Sequence, residues 1–86
     1  MKSFNYVITD PVGVHARPAG VIVSVAKGFA CSVTVSKAGK APADAKRIFG
    51  LMGLGIKHGE EVTVTCDGAD EDKAISELEK VFKENL

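Results

Sequence analysis

The sequence has no tryptophan, one tyrosine and four phenylalanines. These five aromatics (Phe4, Tyr6, Phe29, Phe49, Phe82) are dispersed and form no base-stacking motif, which argues against nucleic acid as a partner. Cysteine is scarce as well: Cys31 and Cys66 stand too far apart for a CxxC pair, and with the two histidines they fit no zinc-ligand spacing. No metal and no cofactor are implied, and the cysteines read as small buried thiols. No apolar run approaches the roughly 18 residues of a membrane span. No secretory leader opens the chain, so a cytoplasmic protein that does not enter the membrane is expected.

What is present suits one small core. Of 86 residues, 45% are hydrophobic and 26% charged, a balance that disfavours disorder. Residues 1–86 are expected to form a single domain, because so short a chain has room for only one core. Net charge is zero but polarised. Residues 1–58 hold eight Lys/Arg against two Asp/Glu, whereas residues 59–86 hold three against nine. Such a chain can turn a basic face to an acidic partner.

Periodicity outlines the elements. Ser3–Thr9 alternates as a strand with Phe4, Tyr6 and Ile8 on one face. Residues 16–27 read as a helix, punctuated by Pro18 near its start and Lys27-Gly28 at its end. Cys31, Val33 and Val35 face inward on a second strand, and a weak third strand is expected around residues 40–43. "DAKRIFGLMGLG" suggests a short helix with Asp44 as a possible cap. Val62, Val64 and Cys66 face inward on a fourth strand. Asp70 caps a last helix whose Ala74, Leu78, Val81 and Phe82 recur at helical spacing. The order β-α-β-β-α-β-α describes an α+β, two-layer, open-faced sandwich with three helices over one face of an antiparallel sheet. Strand orders 1-4-2-3 and 4-1-3-2 both make every neighbouring pair antiparallel, and pattern alone does not choose. Antiparallel pairing of the second and fourth strands would place Cys31 beside Cys66, both facing the core.

The chemistry concentrates in "DPVGVHARPAG", where a turn becomes a helix. Helix starts carry unpaired N–H groups and a positive dipole end, so His15 and Arg17 there suit an anion. The simpler alternative makes His15 a cap and Arg17 solvated surface. Because a residue before proline resists helical angles, two helix starts are open. Either Arg17 caps a helix beginning at Pro18, or His15 is the cap and Arg17 sits in the first turn. His58, in "IKHGEEV", lacks a following helix and reads as a solvated turn residue.

"GVHARPAG", "KRIFGLMGLGI" and "VTVTCDGADEDKAISELE" together resemble the HPr family, the histidine-containing phosphocarriers of the bacterial phosphoenolpyruvate:sugar phosphotransferase system. The resemblance runs from the first strand to the last helix. It implies strand order 1-4-2-3 and a carrier, not an enzyme. It further implies a monomer that accepts a phosphoryl group on Nδ1 of His15 from enzyme I and passes it to the A domains of sugar-specific enzymes II. Arg17 matches the family's phosphate-contacting arginine. Ile48, Phe49 and Met52 match its partner-docking positions, and Arg17, Lys27, Lys46 and Arg47 would ring them with positive charge. Leu51, Leu54 and Ile56 are left for the core, although all six apolar residues could be core. A regulatory paralogue acting only through protein contacts is the alternative function; such paralogues typically lack the histidine, which is present here. One departure stands out. Where many relatives carry a serine phosphorylated by an ATP-dependent kinase, this chain has Arg47, and residues 37–62 contain no Ser, Thr or Tyr.

Overall fold

A computed structural model describes all of residues 1–86. The elements run β1 (Lys2–Val7), α1 (Ala16–Lys27), β2 (Ser32–Lys37), β3 (Ala43–Asp44), α2 (Ile48–Met52), β4 (Glu61–Asp67) and α3 (Glu71–Asn85). The four strands form one sheet in the order β1-β4-β2-β3, with every pairing antiparallel. This is the 1-4-2-3 order, and it resolves the two topologies that periodicity leaves open.

Register makes the two faces different. Phe4 pairs with Val64 and Val64 with Val35, so one face carries an apolar row. Ser3, Thr65 and Thr34 form the neighbouring row on the other face. The apolar face meets the buried sides of the helices: Pro18, Ala19, Ile22, Val23 and Ala26 from α1, and Ala74, Leu78 and Phe82 from α3. Phe82 stands edge-on to Phe4 at 5.7 Å and to Tyr6 at 6.0 Å, fastening α3 to the edge strand β1. Nineteen buried residues make one core, and Leu51, Leu54 and Ile56 belong to it.

Cys31 and Cys66 are neighbours as expected. Val33 pairs with Cys66, which leaves Cys31 diagonally adjacent, and both are buried free thiols. Burial pushes the Cys66 thiol up to about 11 and raises that of Cys31. Neither is a thiolate at neutral pH, so neither is a ready nucleophile.

Local punctuation departs from expectation where tertiary contacts take over. β1 ends at Val7 and not at Thr9, because the Thr9 and Asp10 N–H groups turn to the main-chain oxygen of Leu86. The third strand is displaced to Ala43–Asp44, where Asp44 pairs with Thr34. Asp44 therefore does not cap α2; Arg47 occupies that position. Asp44 Oδ1 instead accepts the Lys46 N–H at 2.9 Å within the approach to the helix. Gly28 closes α1 in a right-handed conformation, so its glycine freedom is not used. Asp70 stands at the cap position of α3, but its side chain makes no cap bond. Its two carboxylate oxygens accept the N–H groups of Ala30 and Cys31 at 2.8 and 2.9 Å, tying the start of β2 to the start of α3.

That tie and a second one predict acid sensitivity. The Ala30 N–H, with the Cys31 thiol and N–H, holds the Asp70 carboxyl below its ordinary 3.8. The Lys37 ammonium, 3.0 Å from both Glu60 oxygens, and the Lys57 N–H hold Glu60 below 4.5. A carboxyl depressed in the folded state stabilises fully above its unfolded value, and loses that contribution as pH falls through the folded one. Thermal unfolding midpoints should therefore be flat from neutral pH to about 5 and fall below about 4.5. Asp70→Asn and Glu60→Gln should each flatten the acid limb; a limb unchanged in both variants refutes the assignment.

Candidate functional site

The site begins with a turn whose residues have few alternatives. The Gly13 N–H donates to the Asp10 carbonyl at 3.0 Å, closing a turn over Pro11 and Val12. Within that turn Asp10 Oδ1 accepts the Val12 N–H at 2.8 Å. Gly13 has φ +83 and lies against the backbone of Ile56 and Lys57. The next N–H, that of Val14, donates to Ile56 O at 3.0 Å. The loop is thus held at Leu86 on one side and Ile56 on the other, and it delivers His15 to the head of α1.

His15 is the N-cap residue, with extended backbone angles, and its carbonyl accepts the first helical bond from Ala19 at 3.0 Å. Of the two helix starts the sequence allows, the structure takes the one with His15 as cap, and Arg17 lies in the first turn. The imidazole makes no capping hydrogen bond, so it is not used to satisfy the helix. The side chain is 41% exposed, with Nε2 at 3.8 Å from Asp10 Oδ1. Arg17 is exposed and holds no ion pair. The Ala16 and Arg17 N–H groups stand in the first turn, where no intrahelical acceptor exists. Pro18 has no N–H to leave unpaired, and it is buried. The imidazole, the first-turn N–H groups and Arg17 thus belong to one helix end.

The structure treats the remaining predicted residues unequally. Phe49 is 87% exposed and Met52 37%, while Ile48 is half-buried against the core. α2, which carries these side chains, packs against α1. Arg47 is exposed, with Nε 3.8 Å from Asp44 Oδ2. Lys46 turns its ammonium to the Phe29 carbonyl at 2.8 Å. Lys27 closes α1 roughly 16 Å along the axis from Ala16, so it stands away from the imidazole. His58 is an exposed turn residue and heads no helix. Two residues near the site escaped the sequence reading. Val12 is 68% exposed two positions before the cap-preceding residue, and only the tightness of its turn forces it outward. Asp10 reads in sequence as a turn former, and nothing in its spacing reveals that it reaches the imidazole.

Comparison with known proteins agrees with this arrangement. Residues 2–84 match the family model described as the PTS HPr component phosphorylation site. The chain is 39% identical to the phosphocarrier protein HPr of Mycoplasma genitalium, over 99% of this chain and 97% of that protein. Among solved structures, a mycoplasma histidine-containing phosphocarrier protein superposes with a TM-score of 0.93 at 36% identity, covering 96% of this chain and 93% of that one. The Bacillus subtilis protein Crh, described as a swapped dimer, gives 0.77 at 38% identity, covering 88% and 86%. With a half-exposed histidine at a helix head, this sheet order and this likeness along nearly the whole chain, the chain belongs to the HPr family and is a phosphocarrier of the phosphotransferase system, not an enzyme.

Proposed function

We propose that Nδ1 of His15 is the phosphoryl acceptor, that Arg17 contacts the phosphate, and that residues 1–86 act as one carrier domain between enzyme I and the A domains of enzymes II. The observation that carries this reading is His15 at the head of α1, half-exposed and free of any capping duty. A neutral imidazole needs no metal and no general base, because the lone pair of its unprotonated nitrogen attacks phosphorus directly. The product oxygens then face the first-turn N–H groups and a guanidinium able to fork onto two of them. A carrier must also release its cargo. Each ~1.4 kcal/mol added to phosphohistidine alone slows onward transfer about tenfold. One arginine and one helix end make a modest clamp, suited to reversible handover. Incubation with phosphoenolpyruvate and enzyme I tests the reading: acid-labile phosphate is expected on His15, and its appearance on His58 refutes it. The likeness to Crh raises the regulatory alternative, and the same assay separates the two, since a purely regulatory paralogue takes up no acid-labile phosphate. The carrier is expected to sediment as a monomer in the cytoplasmic fraction.

Docking falls to the exposed apolar residues of α2. Phe49 and Met52, with Arg47 next to them in sequence and Arg17 on the neighbouring helix, offer an apolar centre with cationic side chains to acidic partners. Phe49→Glu should weaken binding of enzyme I by roughly tenfold or more, because it removes an anchor and adds a repelling charge. The melting temperature should stay within about 2 °C, since so exposed a side chain holds little of the core together. Unfolding instead would place Phe49 in the core.

Arg47 bears on regulation. A phosphoserine adds nearly two negative charges, whereas Arg47 adds a positive one at a surface that meets acidic partners. With no hydroxyl in residues 37–62, the protein should acquire no acid-stable phosphate there when incubated with ATP and a serine kinase of the family's regulatory type. Acid-stable phosphate found on a residue of that segment overturns the alignment of Arg47 with the serine.

A further inference from the structure

We propose that Asp10 is a positioning residue, whose carboxylate keeps the His15 proton on Nε2 and so leaves the Nδ1 lone pair free to accept a phosphoryl group. The inference rests on the reading of His15 as acceptor and adds a residue to it. Neutral imidazole carries one proton and can place it on either nitrogen; only the bare nitrogen is a nucleophile. Asp10 Oδ1 lies 3.8 Å from Nε2. At that range a carboxylate biases the proton toward the nearer nitrogen by charge, without a formed hydrogen bond. Such pairing of one ring nitrogen with a carboxylate is the general way in which proteins choose a histidine tautomer.

Asp10 is itself immobilised from two directions. The same Oδ1 accepts the Val12 N–H at 2.8 Å, which sets the side-chain rotamer. Its own N–H donates to the Leu86 main-chain oxygen at 2.8 Å, and that oxygen also takes the Thr9 hydroxyl at 2.7 Å. Leu86 is buried, so the far end of α3 anchors the residue that faces the imidazole. The carboxylate is thus held in place before any phosphoryl group arrives.

Its effect grows during transfer. With a simple P–N donor such as phosphoramidate, the Nδ1 lone pair forms the new N–P bond as the donor's P–N bond breaks. The electron pair of that bond leaves with nitrogen as ammonia. The proton on Nε2 stays where it is, so the phosphorylated ring becomes a cation, with its N–H toward Asp10. A carboxylate on that side stabilises the charge as it develops. It also lies on the side of the ring away from the phosphoryl group.

Asp10→Asn removes the charge and keeps an acceptor for the Val12 N–H. In protein labelled with 15N at both histidines, the shifts of the two ring nitrogens report the tautomer ratio at about pH 9, where imidazole is neutral. The ratio of Nδ1–H to Nε2–H in His15 should rise about two- to threefold in the variant, with His58 unchanged as internal reference. Phosphorylation by phosphoramidate should slow by at least as much. Asp10→Ser, which also offers the turn an acceptor, should show the same shift. A His15 tautomer ratio equal to that of the unsubstituted protein in both variants overturns the proposal. Phosphate on another residue of the unsubstituted protein overturns instead the reading of His15 on which it rests, and it does so without either variant.

Discussion

His15→Ala abolishes phosphoryl acceptance from enzyme I and leaves stability nearly unchanged. The two halves of this expectation rest on different atoms. The chemistry needs the imidazole nitrogen, for which alanine offers no replacement. The fold uses only the backbone of residue 15, whose carbonyl accepts the Ala19 N–H at 3.0 Å while the side chain makes no cap bond. Losing a capping side chain typically costs ~1 kcal/mol, but here none is lost, and the change should stay within about 0.5 kcal/mol. Acid-labile incorporation of labelled phosphate and a thermal melt on the same sample check both halves. Residual acid-labile phosphate in the variant would falsify the assignment. Arg17→Ala should fall between the extremes, slowing transfer by roughly 10- to 100-fold, since the first-turn N–H groups remain to hold the phosphate. Transfer at the unsubstituted rate in that variant removes the guanidinium from the mechanism.

Gly13→Ala should be the most damaging small substitution near the site. At φ +83 an L side chain is strained on its own, at a cost of about 1 kcal/mol or more. A methyl group there would also run into the Ile56 carbonyl oxygen, and would sit 2.7 Å from Lys57 Cα. Both are backbone atoms and cannot swing aside. The seat can yield only by lifting the 10–15 loop, which breaks the Val14–Ile56 hydrogen bond and shifts His15. A loss of about 3 kcal/mol is expected, a large share of the stability of a domain this size, together with slower phosphorylation. Gly20→Ala is the control: a Cβ at Gly20 meets nothing within 4 Å, and the position lies inside α1. That change should stabilise by roughly 0.5–1 kcal/mol through the entropy of the unfolded chain. Equal effects at the two glycines would refute the steric argument.

Much of the molecule is legible along the chain because its signals are local. The period of two in "CSVTVS" and "EEVTVTC" reports faces of strands, and all of Val33, Val35, Val62, Val64 and Cys66 are buried. The spacing of Ala74, Leu78 and Phe82 reports one helical side. α1 spans the residues that its punctuation predicts. The candidate segment is legible for the same reason, since turn residues, histidine, arginine and proline lie within nine consecutive positions, although its proposed role as acceptor comes from the resemblance to the HPr family.

Three things needed the folded molecule. Strand order was one: pairing preferences are alike in the two candidate topologies, and only the register of β1 and β2 on β4 separates them. The carboxylates were another. Asp70 and Asp44 look like helix caps, yet Asp70 accepts N–H groups 39 and 40 residues away and Asp44 lies in a strand. A short acidic side chain takes whichever donors the fold brings closest, and sequence ranks only the near ones. The third was the site's support. That the far end of α3 holds the loop carrying Asp10 follows from a contact between segments more than 70 residues apart, whereas Asp10 meets His15 five residues on, through a turn whose geometry the sequence does not spell out. Local periodicity determined the elements, and the family resemblance of the 10–20 segment pointed to His15. Closure of the fold, which alone brings distant donors and acceptors together, decided the strand order and gave Asp70 the N–H groups of Ala30 and Cys31.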